Sequence, residues 1–190
     1  MLKKTMTISS ENNHQKKVLP SPGTPIYALM DENVEKKKKT LKKWRLLNKI
    51  FVVPFYRAKI LPLFGFGKIF LIIETKGRIT GKKRRTPVEH HRVNNIITII
   101  SARGLDAGWL KNIQNNPSDV YIRKGFHGFK PRIEIINTDN EKLEFLHWYV
   151  ENCGKSAKML FGWEPKIDTI ESTDFSRMVK AMAIVQIYES

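Results

Sequence analysis

From Lys68 to Ile136 the apolar residues come in runs too short for helices, rich in β-branched side chains and separated by turn residues. Lys68 to Glu74 is such a run, Arg84 to Val93 alternates weakly, and Ile96 to Ala102 is nearly all apolar. The Asn94-Asn95 pair between the last two suits a two-residue hairpin, because Asn tolerates the left-handed backbone that such turns need. Val120 to Lys124 and Arg132 to Ile136 read as a further hairpin around Gly125 to Pro131, and Met182 to Tyr188 reads as a closing strand. Helices are inserted among them: Asp106 to Asn115 with Asp106 as N-cap and a stop before Pro117, then Asp139 to Asn152, then Lys155 to Phe161. Short antiparallel strands with inserted helices give an α+β class, mainly β, and their edges are expected to close into a small barrel.

The rest of the chain divides around this region. Residues 1–30 contain Ser-Pro-Gly-Thr-Pro at 21–25 and no hydrophobic period, which reads as a flexible leader. Residues 31–60 form a basic segment whose helix, from Asp31 to Tyr56, repeats Leu41, Trp44, Leu47 and Phe51 at three- or four-residue steps. Lys36 to Lys39, Lys42, Lys43 and Arg45 surround that stripe, so the helix could rest on an anionic membrane surface or be a solvated helix packed on the core. Pro62, Gly65 and Gly67 should end the helical region, leaving 61–190 as the main domain. No apolar run approaches the roughly 20 residues of a membrane span, and Met1 to Gln15 has no signal-like apolar stretch, so a cytoplasmic location is expected. The single cysteine, Cys153, lacks partners for a disulfide or a thiolate metal site.

The formal net charge of +16, from 34 Lys and Arg against 18 Asp and Glu, calls for an anionic partner. Charge alone does not choose among nucleic acid, a membrane surface and a phosphorylated coenzyme. Placement does: a second cluster, Lys76-Gly77-Arg78-Ile79-Thr80-Gly81-Lys82-Lys83-Arg84-Arg85-Thr86-Pro87, lies between two strands. Its glycines let the backbone turn and expose amides, while Arg presents a planar fork that matches phosphate or carboxylate oxygens. Cations on a hairpin, not on a helix that could enter a major groove, disfavour nucleic acid.

Three segments, in order, resemble the deazaflavin-dependent nitroreductase family. Glu74 to Gly81 followed by Arg84-Arg85-Thr86-Pro87 is similar to the family's Thr-Gly-Arg-Lys-Ser/Thr-Gly and Arg-x-x-Pro pattern. Ile99 to Gly104 is similar to its strand ending in Ser, a basic or polar residue and Gly, and Gly108-Trp109-Leu110-Lys111-Asn112 leading to Asn116-Pro117 to its Trp-Tyr-x-Asn and Asn-Pro helix. The resemblance implies a split β-barrel over about 65–189 that binds coenzyme F420. It implies that Arg78, Ile79 and Thr80, with Arg84, Arg85, Thr86, Pro87 and Val88, surround the coenzyme's phosphate and glutamate tail. It further implies that Ser101, Ala102 and Arg103 approach the deazaflavin or its linker, and that Trp109 and Asn112 stand near the anionic tail. For Trp109 a core aromatic is an equal reading. The chain departs from the family pattern at Ile79, where a cation is usual, and at Leu110, where Tyr is usual; Arg85 and Lys111 are expected to replace the lost charge.

If reduced deazaflavin is bound, the expected reaction is hydride transfer to a small electron-poor acceptor such as a quinone or nitro compound, with no catalytic triad required. His90 and His91 could supply a proton; on an alternating strand one should point inward and one outward. Glu89 is read as a charge partner of the loop, His127 and His147 as isolated, and no spacing suggests a metal site. The alternatives are a split-barrel protein binding flavin mononucleotide or haem, and a basic module for anionic lipid or nucleic acid. Split barrels often pair, so a homodimer stays open.

Overall fold

The computed structural model describes residues 16–30, 34–47, 50, 54 and 69–189. The first half of the expected leader, Phe51 and the breaker cluster before Lys68 lie outside the described residues, as do the side chains of Trp44 and Leu47.

Two four-stranded antiparallel sheets carry the structure. The first contains β2 (Phe70–Lys76) and β3 (Lys83–Glu89) with β6 (Tyr121–Lys124) and β7 (His127–Phe129), in the order β3-β2-β6-β7. The second contains β4 (His91–Val93), β5 (Ile96–Ser101), β8 (Pro131–Ile136) and β10 (Ala183–Glu189), in the order β4-β5-β10-β8. One residue, His90, separates β3 from β4, and one residue, Lys130, separates β7 from β8. Two strand paths therefore bend from one sheet into the other, and the sheets form a split barrel of six paths.

Strand alternation sorts the side chains. Leu71, Ile73 and Ile122 of the first sheet face Ile97, Ile99, Val185 and Ile187 of the second, all almost fully buried. Each such side chain contributes roughly 1.5–3 kcal/mol by leaving water. The opposite face of the second sheet, through Ile184 and Ile100, packs under a helical layer. That layer holds α4 (Asp139–Asn152), α5 (Gly154–Phe161) and α6 (Ser176–Ala181). Thr138 caps α4 by accepting the Glu141 amide. The Asn94-Asn95 turn is as expected, with φ of 48° and 64°.

Four local expectations are corrected. The hairpin around Gly125 to Pro131 is two elements: β6 turns tightly into β7, and the chain then crosses to the other sheet, where β8 pairs with β10. Pro131 begins the new strand, the position where a missing N–H costs least. Residues 16–30 are packed, not loose. β1 (Lys17–Val18) pairs in parallel with β9 (Thr173–Asp174), Leu19 is wholly buried, and α1 (Pro25–Met30) sets Ile26 into the helical core. Asp106 is no N-cap, since a 3₁₀ turn over Gly104–Asp106 precedes α3 (Gly108–Asn115), whose cap is Ala107. Neither His90 nor His91 points to solvent, because the bend between β3 and β4 breaks the alternation: His90 is 5% exposed and the His91 side chain 15%. The expected basic helix is present as α2 (Val34–Leu47), with Lys38, Lys39, Lys42 and Lys43 exposed. Among the described residues no helix is long and apolar enough to cross a membrane.

His90 clips the first corner. Its backbone N–H donates to the Ile69 carbonyl at 2.9 Å, and its Nδ1 lies 3.1 Å from the same oxygen. Burial, with the nearby charge of Lys124, lowers the His90 pKa from 6.5 to about 4. The unfolded chain therefore takes up a proton that the folded chain refuses, so this stability is present above pH 6.5 and is lost as pH falls toward 4. The full loss is about 3 kcal/mol. Urea unfolding followed from pH 7 to 4 should show this slope in the wild type and a flatter one in His90→Asn; equal slopes would remove His90 as its source.

Candidate coenzyme site

Because β2 and β5 run in the same direction on opposite sheets, their C-terminal ends meet one end of the barrel. The 77–82 loop, the turn after Ser101 and the helix α3 gather there. The interior below is filled with branched aliphatic side chains.

The loop is held by short bonds. The Gly77 N–H donates to the Lys82 carbonyl at 2.9 Å and the Gly81 N–H to the Gly77 carbonyl at 2.7 Å, with Gly81 at φ +64°. Asn112, 7% exposed on α3, ties the loop to the barrel. Its Nδ2 donates to Thr75 Oγ1 at 3.1 Å, and its Oδ1 accepts the Arg78 backbone N–H at 3.3 Å and Arg78 Nη1 at 3.4 Å. Arg84 Nη2 donates to Thr80 Oγ1 at 3.3 Å. Arg78, Thr80 and Arg84 thus stand together at the exposed rim, and Ile79 between them is 85% exposed.

Ser101 and Arg103 close the rim from the other sheet. Ser101 is buried and donates its hydroxyl to the Gly104 carbonyl at 2.9 Å. Gly104 has φ +55°, and a Cβ there would lie 2.5 Å from the Ala181 carbonyl oxygen, so only glycine lets the chain turn against α6. Ala102 packs on the helical core. Arg103 is half-buried, and its Nε lies in the interior with no hydrogen-bond partner. A guanidinium N–H left bare in this way costs about 1–3 kcal/mol until an acceptor arrives. Trp109 is half-buried against the barrel core.

The other sequence candidates lie apart from this group. Val88 faces the barrel core opposite Leu71, and Thr86 and Pro87 pair with Ile73 and Ile72 farther down β3. Arg85 is committed elsewhere, with its Nε 2.7 Å from Glu74 Oε1, and Lys111 pairs with Asp106 at 2.6 Å, so neither supplies the charge absent at Ile79. Glu89 does not serve the loop. It ends β3, six residues and roughly 20 Å beyond Lys83. There it meets His91 Nε2 and the Tyr149 hydroxyl, each at 3.3 Å, while Cys153 Sγ lies 3.4 Å from His91 Nδ1. Burial and the Glu89 charge push the Cys153 thiol up, which suits an inert thiol. Among the described residues no group of three His, Cys, Asp or Glu side chains could hold a metal ion.

Glu74 ends the first β-branched run and opens the first segment of the resemblance, and the sequence alone assigns it no role. It is 1% exposed and receives Arg85 Nε at 2.7 Å, Arg123 Nε at 3.0 Å and Lys83 Nζ at 2.5 Å. Burial alone would raise its carboxyl pKa, but the bonds from Lys83, Arg85 and Arg123 outweigh that and hold it down to about 2.

The cations with unspent donors at the rim, Arg78, Arg84 and Arg103, suit oxyanions of phosphate or carboxylate type. A family model described as F420H(2)-dependent quinone reductase matches residues 60–159, just over half of the chain. No curated protein matches it. Among solved structures, an F420-H2 dependent reductase is 17% identical, covering 64% of this chain and 95% of its own at a TM-score of 0.41. A conserved hypothetical protein from Mycobacterium tuberculosis is 16% identical, covering 68% and 78% at 0.43. Campylobacter jejuni ChuZ is 15% identical, covering 84% and 63% at 0.43.

Replacing Asn112 with Ala should cost about 1–3 kcal/mol, because Thr75 and the Arg78 amide lose a buried partner together. Amide hydrogen exchange across 77–82 should rise in that variant more than exchange in β10; a uniform rise would show that Asn112 does not hold the loop.

Proposed function

Because the chain belongs to the F420H(2)-dependent quinone reductase family, we propose that its barrel rim binds the anionic part of coenzyme F420 through Arg78, Arg84 and Arg103. The family makes it an F420-dependent oxidoreductase, and this selects F420 over flavin mononucleotide and haem. One observation carries the site reading: Arg103 Nε is buried with no partner at the end of β5, a donor in want of an oxyanion.

Each residue has a physical task in this reading. Asn112 holds Arg78 by its backbone and its fork at once, so the guanidinium is fixed before ligand arrives and loses less freedom on binding. Thr80 steadies Arg84 in the same way. Ser101 and Gly104 fix the turn that buries Arg103. Trp109, packed against the barrel core, offers a partly exposed apolar surface on the same helix as Asn112. When bound and reduced, the coenzyme supplies a hydride to an electron-poor acceptor, for which we propose a quinone or a nitro compound. The exposed apolar side chains of Ile79 and Leu105 at the rim support an acceptor with an apolar body. His90 is an unsuitable proton donor, being neutral, buried and bound to Ile69 at the corner.

Binding of oxidised F420, followed by fluorescence titration, should weaken at least tenfold in Arg103→Ala and further in Arg78→Ala combined with Arg84→Ala. Wild-type affinity in all of these variants would exclude the rim. The exposed Lys38, Lys39, Lys42 and Lys43 of α2 support a second contact, with an anionic membrane surface that would bring the protein to a lipid-soluble acceptor. Co-sedimentation with vesicles containing phosphatidylserine should be lost when these four lysines become Gln, while F420 affinity is kept; equal sedimentation would discard the membrane contact.

A further inference from the structure

Lys82-Lys83-Arg84-Arg85 places four consecutive cations at the start of β3, and strand geometry must send alternate ones to opposite faces. A slip of one residue would exchange the set facing the site with the set facing away. The four basic residues do not themselves distinguish these registers; Val88 in the core and the Gly77–Lys82 bond favour the observed one, and Glu74 adds to that choice from β2. Glu74 pairs directly with Arg85, and the faces follow from the register: Glu74, Arg85 and Lys83 share the outer face, while Thr75 and Arg84 share the inner one.

Adjacent residues of β2 therefore grip the basic hairpin from its two sides. On the inner side Thr75 holds Asn112, which holds Arg78. On the outer side Glu74 draws in Lys83 and Arg85 from β3 and Arg123 from β6. The carboxylate is almost completely buried, so a cation removed from it would leave an uncompensated buried charge. Both arginines approach through Nε, and both flanking strands are tied to β2 by this one side chain.

We propose that Glu74 is a positioning residue for coenzyme binding, which sorts the three cations that open β3 so that, of Lys83, Arg84 and Arg85, Arg84 alone is delivered to the rim beside Thr80 and Arg78. It touches no ligand. The proposal rests on the assignment of the rim as the coenzyme site. It also opposes simple electrostatics: Glu74→Gln raises the local positive charge by one, which would strengthen the attraction of any anion if Glu74 only neutralised its surroundings. Sorting demands the reverse sign.

The test compares wild type with Glu74→Gln and with the charge-keeping but shorter Glu74→Asp. Binding of oxidised F420 and, separately, of inorganic pyrophosphate is measured by calorimetry. The arginine Nε–H signals are followed by ¹H–¹⁵N NMR in the unloaded protein. In the wild type, two protected Nε–H signals from Arg85 and Arg123 are expected, and both should shift and broaden in Glu74→Gln. Affinity for both ligands should fall about tenfold in Glu74→Gln and by a smaller factor in Glu74→Asp. Unchanged or tighter binding in Glu74→Gln overturns the proposal; if that variant does not fold, unchanged affinity and unshifted Nε–H signals in Glu74→Asp overturn it. Wild-type protein that binds pyrophosphate but not F420 removes the coenzyme assignment while the pyrophosphate arm still decides Glu74. Wild-type protein that binds neither removes both.

Discussion

A six-path barrel filled with isoleucine and valine has no interior to offer a ligand, and this packing constraint dictates where everything else can occur. Leu71, Ile73, Ile97, Ile99, Ile122, Val185 and Ile187 meet across the two sheets with almost no exposed area. Polar chemistry is pushed to the two ends. One end is closed by Glu189, paired with Arg92 of β4 at 2.8 Å and lying 3.7 Å from Lys124 of β6, which joins the two sheets. The other end holds the loop, the Arg103 turn and α3, where the buried Arg103 Nε has no hydrogen-bond partner among the described residues.

Cations at the rim divide by what their neighbours ask of them. Lys83, Arg85 and Arg123 turn to Glu74, whose one negative charge offsets a third of theirs, and Lys111 turns to Asp106, so these side chains are directed by partners within the fold. Arg78 and Arg84 are held only by neutral partners, Asn112 and Thr80, which orient a guanidinium without cancelling it. Arg103 Nε has no partner at all. Counting basic residues in the loop overstates the charge available to a ligand, and the hydrogen-bond partners restore the balance.

Strand positions were legible in the sequence because each is a local pattern: β2, β5 and β10 are short β-branched runs, and Asn94-Asn95 names its own turn. What was not legible depends on pairings between distant residues. Nothing local at Gly125 to Pro131 tells that β8 leaves its neighbour for β10, or that Leu19 and Ile26, in apolar stretches too short to show a period, fill the helical core. The rim was partly legible. Motif resemblance led to Arg78, Thr80, Arg84, Arg103 and Asn112, which the fold brings to one end, but it also took in Arg85, which the strand period turns to the outer face, and Val88, which shares the face of Arg84 but lies four residues farther down β3 in the barrel core. Glu74 went unread because its meaning lies in three cations on two other strands.

The place of β10 has a consequence for how such a chain comes together. It is the latest strand in chain order, yet it lies in the middle of its sheet, between β5 and β8, with Ile99 on one side and Ile135 on the other opposite Val185. A chain made from its N-terminus presents β5 and β8 before the strand that pairs with both of them. The barrel is thus completed by its last strand, through contacts of very long sequence separation, and until that moment its half-built sheet is a surface suited to pairing with a neighbouring chain.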